Sequence, residues 1–236
     1  MAQQAEAARR APLTRERVLR AAVDLADGTG IDALSMRKLA QSLGVVPMAL
    51  YKHVANKEEL LDGMLDVVVG EIDPPVADAD WQRAVRQRIL SARRSLLRHP
   101  WASRVIESRT APTPMVLQYM DSMISMFRAG GLSVDLTHHV MHAMGSRILG
   151  FSQELFGTPP PGVDPATLPA VDPETARQMA ARYPYIAEIT TRVAHDDASV
   201  VGSGCDDQFE FEFSLDLLLD GVEQLRRRAW TSRGGH

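Results

Sequence analysis

The segment from residue 47 to residue 53, PMALYKH, carries side chains of the types that contact nucleic acid. Lys52 and His53 can donate hydrogen bonds to phosphate oxygens or to acceptors on base edges, and Tyr51 can reach a phosphate or cover a thymine methyl group. Leu50 and Val54, four residues apart, form an apolar side that faces inward, which leaves the other side chains facing outward. Core packing explains that outer surface poorly, whereas it is typical of a helix that reads the major groove.

The residues before this segment predict the first half of a helix-turn-helix. Ser35 is suited to cap a helix that ends at Gly44, since glycine fits the left-handed position there. Pro47 is tolerated at the first position of the second helix, because its missing N–H would have no partner there. We predict that the second helix runs from Met48 to Val54 after a two-residue turn.

The helices on either side of this motif also have recognisable starts. Thr14 is a natural cap for a first helix that runs to about Asp27. Asn56 is suited to cap a fourth helix that runs to about Ile72, and Glu59 stands in a position that resembles a capping box. The motif is therefore expected within a small helical head.

Residues 13–66 resemble the DNA-binding domain of the tetracycline-repressor (TetR) family, and the runs LSMRKLAQSLGV and LYKHVANKEELL carry the resemblance. It implies that the following residues face DNA: Arg37, Pro47, Met48, Ala49, Tyr51, Lys52, His53 and Lys57. The apolar side chains at 48 and 49 favour contacts with thymine methyl groups, and Arg37 could contact guanine. The alternative for Tyr51 is packing within the core of the head.

Charge is unevenly distributed along the chain, although the net charge of the 236 residues is −4. Residues 1–57 hold nine basic and five acidic residues, a balance of +4, which leaves −8 for the rest. A positive end on an acidic body suits a protein that presents one end to phosphate, and chance clustering is the alternative. The single cysteine excludes an intramolecular disulfide, and no apolar run resembles a signal peptide or a spanning helix. We therefore expect a cytoplasmic protein with no membrane partner.

The remainder of the chain predicts an all-α body, with nine or ten helices in the whole protein and no strand pattern. Beyond the head, helices are expected at 81–98, 101–109, 115–129, 135–156, 174–195 with an interruption at Pro184, and 207–228. The predicted organisation is a disordered arm at 1–12, a helix-turn-helix head with its connecting helix at 13–72, a ligand-binding and dimerisation body at 73–230, and a disordered tail at 231–236. The proline-rich stretch 157–173 predicts a long loop.

The body also resembles the C-terminal domain of tetracycline repressors, on the stretches SARRSLLRH and FEFSLDLLLDGVEQL. Methionines are frequent between 115 and 144, and their flexible side chains suit adaptable apolar binding surfaces. Plain core packing is the alternative. We expect a mostly apolar ligand cavity lined by Trp101, Tyr119, Met120, Met123, Phe127, His142, Arg147 and Phe151.

The resemblance implies a homodimer whose two reading helices meet successive major grooves of a pseudo-palindromic double-stranded operator. The residues expected at the dimer interface are His138, Ile148, Phe209, Phe213, Leu217 and Leu225. We expect no metal, since no nearby ligand set completes His138, His139 and His142, and we expect no cofactor. Nothing in the sequence predicts catalysis.

These patterns predict a transcriptional regulator that responds to a small, largely apolar effector, most often a repressor in this family. One alternative is a protein of the same fold that activates transcription or acts without a ligand. Another is a helical protein that binds small molecules and has lost its DNA role.

Overall fold

The computed structural model describes residues 12–76, 80–150, 172–193 and 207–233. In these ranges the chain forms α-helices and no strands, so the predicted all-α class is confirmed. The helices are α1 Arg15–Thr29, α2 Met36–Leu43, α3 Pro47–Leu50, α4 Lys57–Gly70, α5 Trp81–Arg98, α6 Ala102–Ser108, α7 Pro114–Ala129, α8 Val134–Gly150, α9 Pro173–Arg182, α10 Pro184–Val193 and α11 Asp207–Arg227. Pro184 divides the predicted helix 174–195 into α9 and α10, because proline disfavours a helical residue before it.

The helix starts of the head are capped as their sequences predict. The side chain of Thr14 accepts from the backbone N–H of Arg17, and Ser35 Oγ accepts from Lys38. Asn56 Oδ1 accepts from the Glu59 N–H at 2.8 Å, while Glu59 Oε2 accepts from the backbone N–H one residue before the cap at 2.7 Å. Each cap satisfies a backbone donor that a helix start leaves without a partner.

The helix-turn-helix is shorter than its sequence suggests. Gly44 has φ 69° and ψ 31°, the left-handed conformation expected at the end of α2. Helix α3 ends at Leu50 rather than at Val54. A turn follows, in which the N–H groups of His53 and Val54 both donate to the Leu50 carbonyl at 2.8 and 3.0 Å. One shared carbonyl replaces the regular ladder, so residues 51–53 lie at the edge of the motif rather than within a helix.

One apolar core fills the head and extends beyond it. It is built around the buried side chains of Val18, Leu39, Leu50, Leu60 and Met64, and it continues to Trp101, Ala102 and Val105 of α6. Helix α4 packs against α5, α6 and α7 as well as against α1. The predicted boundary at residue 73 therefore falls within a single compact unit.

The described residues separate into two compact units. One contains the residues up to Met141 together with those from Arg226 onward, and the other contains His142–Leu225. In the first unit, Ser232 donates from its backbone N–H and its hydroxyl to the Asp135 carboxylate at 2.6 and 2.8 Å. This corrects the prediction of a disordered tail for residues 231–233; the predicted arm at 1–11 lies outside the described residues. Within the described ranges no helix is long and apolar enough to cross a membrane.

The end of α7 depends on a residue without a side chain. Gly130 follows α7, and a Cβ placed on it would lie 2.6 Å from the Cβ of Trp81 and 2.4 Å from its ring. The Trp81 ring in turn packs against Phe127 with ring centres 6.0 Å apart. The start of α5 and the end of α7 therefore approach closely because position 130 is glycine.

We predict that Gly130→Ala lowers the free energy of unfolding by about 1–3 kcal/mol, since the added methyl group forces Trp81 away from its packed position. Urea denaturation measures the change. Gly28→Ala is the matched control, because that helical glycine has open space around it and alanine favours the helix. Equal losses for the two variants would contradict the close-packing account.

Candidate DNA-binding site and its joint to the body

The turn and the short helix α3 expose apolar side chains. Met48 is 71% exposed, Val46 is 67% exposed and Tyr51 is 46% exposed, while Leu50 turns inward as predicted. Leaving large apolar groups in water is unfavourable, so their clustering on one short element indicates a surface that another molecule covers. Sequence reasoning assigned Val46 only to the turn; its signal was an apolar residue directly before the helix start.

The predicted DNA-facing residues lie around this apolar tip. Among them the exposed side chains are those of Arg37, Pro47, Met48, Tyr51, Lys52 and Lys57, and the partly buried ones are those of Ala49 and His53. Within the described part of the chain, Arg37, Lys52 and Lys57 form no ion pair. Unpaired exposed cations beside an apolar tip can meet phosphates and base edges together.

A second polar cluster lies at the end of α1, where the head meets the start of α6. His99 Nδ1 lies 2.9 Å from both carboxylate oxygens of Asp27, and Trp101 Nε1 donates to Asp27 Oδ1 at 2.6 Å. His99 Nε2 lies 3.2 Å from Glu71 Oε2, just beyond the end of α4. His99 and Trp101 are both buried. We call Asp27, Glu71, His99 and Trp101 the joint, because they link the first helix of the head to α4 and α6.

Charged pairs continue the joint on both sides. Arg98 donates to Glu71 Oε2 at 2.6 and 3.2 Å. Burial of the Glu71 carboxyl opposes ionisation, but the hydrogen bonds from Arg98 and His99 outweigh it and hold the pKa of Glu71 below its usual value. The Asp32 carboxylate receives both Arg104 Nη groups, at 2.9 and 3.1 Å, and this hydrogen bonding lowers the pKa of Asp32.

Arg109 extends the same pattern to α4. Its Nη1 lies 2.6 Å from Glu58 Oε2 and 3.2 Å from Asp62 Oδ1, and the side chain is only 15% exposed. Several carboxylates of the head are therefore paired with side chains of α6 and of the residues next to it, while its unpaired cations lie around α3. Sequence reasoning missed the joint, because Asp27 and His99 are 72 residues apart and neither belongs to a motif.

The predicted ligand-lining residues have separate outcomes. Trp101 belongs to the joint and to the core of the head, because its indole N–H donates to Asp27 and its ring is buried. Met123 and Phe127 are buried on α7, Tyr119 is partly buried and Met120 is 41% exposed. The backbone at Arg147 is helical, His142 is exposed and Phe151 lies outside the described residues. Their shared role in binding remains a prediction.

The predicted dimer residues include one apolar stripe. Phe209, Phe213 and Leu217 follow one another at four-residue spacing on α11, and each is more than half exposed. Leu225 is partly buried, His138 is exposed, and Ile148 lies on α8. The described ranges contain no group of three or more histidine, cysteine, aspartate or glutamate side chains that could hold a metal ion.

Comparisons with known proteins match both halves of the chain. A family model described as "Bacterial regulatory proteins, tetR family" matches residues 18–64, and one described as "Tetracyclin repressor-like, C-terminal domain" matches residues 74–226. The transcriptional repressor DrrR1 of Streptomyces coeruleorubidus is 30% identical over 226 residues, which cover 90% of this chain and 78% of that repressor. The class D tetracycline repressor of Escherichia coli is 34% identical over 143 residues, 59% of this chain and 65% of that repressor.

Two solved structures of one protein, ActR, also resemble this chain. The apo structure of ActR from Streptomyces coelicolor is 25% identical, with a TM-score of 0.69, and the match covers 93% of this chain and 99% of ActR. ActR in complex with actinorhodin is also 25% identical, with a TM-score of 0.62 and coverage of 91% and 98%.

We predict that Trp101→Phe lowers the free energy of unfolding by about 1–3 kcal/mol, because Asp27 loses the indole donor while most of the apolar packing is kept. Chemical denaturation followed by circular dichroism measures the loss. The control is Trp230→Phe, since the indole N–H of Trp230 donates to no residue in the described ranges. An equal loss at both positions would assign the effect to ring size rather than to the hydrogen bond.

Proposed function

The chain belongs to the tetracycline-repressor (TetR) family of bacterial regulatory proteins, and from that premise we propose that it represses transcription as a homodimer until a small, largely apolar effector releases it from its operator. It is a DNA-binding regulator that responds to ligands rather than an enzyme. The proposal concerns the direction of control, the residues that contact DNA and the chemistry of the effector. It also places the protein in the cytoplasm, where its operator would be accessible.

The proposal rests on cations that form no ion pair and lie beside the exposed apolar side chains of Val46 and Met48. Arg37, Lys52 and Lys57 supply positive charge toward phosphates, and each phosphate contact releases counterions from DNA. Met48 and Val46 supply apolar contacts, for which thymine methyl groups are the matching feature in the major groove. Lysines beside methyl-reading side chains would fix register and sequence preference together.

The apolar stripe of α11 supports a dimer. Phe209, Phe213 and Leu217 are 61%, 57% and 65% exposed, which is more apolar surface than one short stretch normally leaves in water. A two-fold dimer would present two copies of α3 to successive major grooves, and the operator would then be pseudo-palindromic.

Two relatives support repression and release. DrrR1 is named a transcriptional repressor, and ActR was crystallised with actinorhodin. An effector that prefers a state with misplaced heads lowers operator affinity by the ratio of its affinities for the two states. The alternative is a protein of the same fold that activates transcription or acts without a ligand. A reporter assay with the DNA upstream of this protein's own gene decides between repression and this alternative.

We predict different losses for two substitutions in the head. Lys52→Ala should weaken binding to all DNA sequences and reduce the slope of log affinity against log salt by about one, because one phosphate contact is lost. Met48→Ala should leave the salt slope unchanged and weaken binding only to operators that carry thymine at the contacted position. Fluorescence anisotropy with an operator selected from random DNA measures both.

Two controls accompany these variants. Arg83→Ala removes an exposed cation from α5, far along the chain from the head, and should leave the salt slope unchanged. Replacing the contacted thymine by uracil removes only the methyl group and should weaken the wild type but not Met48→Ala. Unchanged DNA binding in both head variants would refute this surface as the reading site.

We predict that Leu217→Asp shifts the protein toward monomer and weakens operator binding, because the charge would enter the apolar contact between subunits. Sedimentation velocity measures the mass. Leu117→Asp is the control, since Leu117 is also about half exposed but lies on α7, outside the predicted dimer face. A dimer that survives Leu217→Asp and dissociates with Leu117→Asp would relocate the interface.

A further inference from the structure

Several buried polar atoms on three neighbouring helices have no hydrogen-bond partner. They are Asp66 Oδ1 on α4, Gln87 Oε1 and Arg88 Nε on α5, and Tyr119 Oη on α7. Helices α4, α5 and α7 pack against one another in the first compact unit. Native proteins pair nearly all buried polar atoms, so unpaired ones on helices that pack together indicate a place where another molecule supplies the partner.

Among these residues, Arg88 and Tyr119 contact each other. The guanidinium carbon of Arg88 lies 5.1 Å from the centre of the Tyr119 ring, within the range of a cation–π contact. Arg88 Nη1 donates to the backbone carbonyl of Asp73. The carboxylate of Asp73 is already engaged by Ser91 Oγ and Arg94 Nη2, each at 2.7 Å, so Arg88 contacts only the backbone of that residue.

The unpaired atoms of this contact, Arg88 Nε and Tyr119 Oη, both carry hydrogens that they can donate. Burial raises the pKa of Tyr119 to about 12, and the nearby Arg88 charge only partly offsets this, so the hydroxyl keeps its proton at neutral pH. Burial also lowers the pKa of Arg88, but a guanidinium stays protonated in proteins, and its Nε can only donate. A positive charge with two unused donors favours an oxygen that accepts hydrogen bonds, and most strongly an ionised one.

Two methionines lie near Tyr119 along α7. Met115 and Met123 lie one helical turn before and after Tyr119 on α7, and Met115 Cε lies 3.9 Å from a Cβ placed on Gly70. Met123 is buried. The unpaired acceptor of Gln87, the residue before Arg88, would in addition suit a hydroxyl donor.

We propose that Arg88 and Tyr119 bind the acidic oxygen of the effector, which is an apolar organic acid that also carries a hydroxyl group. This inference rests on the proposed function for its regulatory meaning, but the binding itself is a separate property. The two donors would accept one carboxylate or phenolate oxygen, while the methionines cover the apolar part.

A matched pair of probes tests this directly. Isothermal titration compares 3-hydroxy-2-naphthoate with its neutral carboxamide, 3-hydroxy-2-naphthamide, on the full chain. The acid should bind about tenfold or more tightly than the amide, because hydrogen bonds to a charged group are stronger than those to a neutral one. Equal binding of the two probes, or no binding of the acid, would overturn the proposal.

Three variants locate the binding. Tyr119→Phe removes only the hydroxyl, and Arg88→Lys keeps the charge but removes the Nε donor. Each should reduce the affinity of the acid by about tenfold and that of the amide by less, because hydrogen bonds to the neutral amide are weaker. Tyr185→Phe is the control, because Tyr185 is 79% exposed on α10 and should not matter. Unchanged affinity in both Tyr119→Phe and Arg88→Lys would mean that water satisfies these groups and that the acid binds elsewhere.

The same protein samples separate this inference from the proposed function. Operator binding by the wild type, measured without any probe, tests the regulator; its absence refutes the proposed function whatever the titrations show. When operator binding holds, the acid should weaken it in the wild type and in Tyr185→Phe but not in Tyr119→Phe. Operator binding that the acid leaves unchanged would refute the proposed effector class while leaving the DNA-binding role intact.

Discussion

The carboxylate of Asp27 connects the DNA-binding head to the helices behind it. It accepts from the Trp101 indole and faces His99, and both partners are buried. The buried indole N–H of Trp101 needs this acceptor, because a buried polar group without a hydrogen bond loses its hydration without compensation. The end of α1 and the start of α6 must therefore keep one relative position for as long as these bonds hold. The apolar core follows the same constraint, since Trp101, Ala102 and Val105 extend the core of the head into α6.

The two sides of the head have opposite electrostatic roles. Its carboxylates at Asp27, Asp32 and Glu71 are paired with side chains of α5, of α6 and of the short segment between them. Its cations around α3 are left without such partners in the described ranges and are exposed. This division explains how a chain with a net charge of −4 can still present a positive surface to phosphate. The carboxylates of Asp27 and Glu71 do not cancel these cations, because they are used at the joint.

Local signals made most of the head predictable. Thr14, Ser35, Gly44 and Asn56 specify helix ends through their own backbone and side-chain chemistry, so the helix boundaries followed from neighbouring residues. The predicted end of α3 was four residues too late. The turn after Leu50 forms because Leu50 and Val54 are both buried in the core, which is a tertiary contact that neighbouring residues do not reveal. The bond between Trp101 and Asp27 could not be predicted for a related reason: the two residues are 74 positions apart, and no local signal links them.

The position of Asp73 would give the proposed effector site a physical route to the head. Arg88 holds the Asp73 carbonyl, while Ser91 and Arg94 hold its carboxylate. Two residues earlier, Glu71 is held by Arg98 and His99, and His99 also faces Asp27. An acid that draws the Arg88 guanidinium toward itself competes with the Asp73 carbonyl for the same cation. A shift of residues 71–73 would then change the partner of His99, whose two ring nitrogens face carboxylates of α1 and of the α4 end. Such a chain of hydrogen bonds couples two sites only if it has two discrete arrangements, and His99 would provide the second one by keeping Asp27 while releasing Glu71.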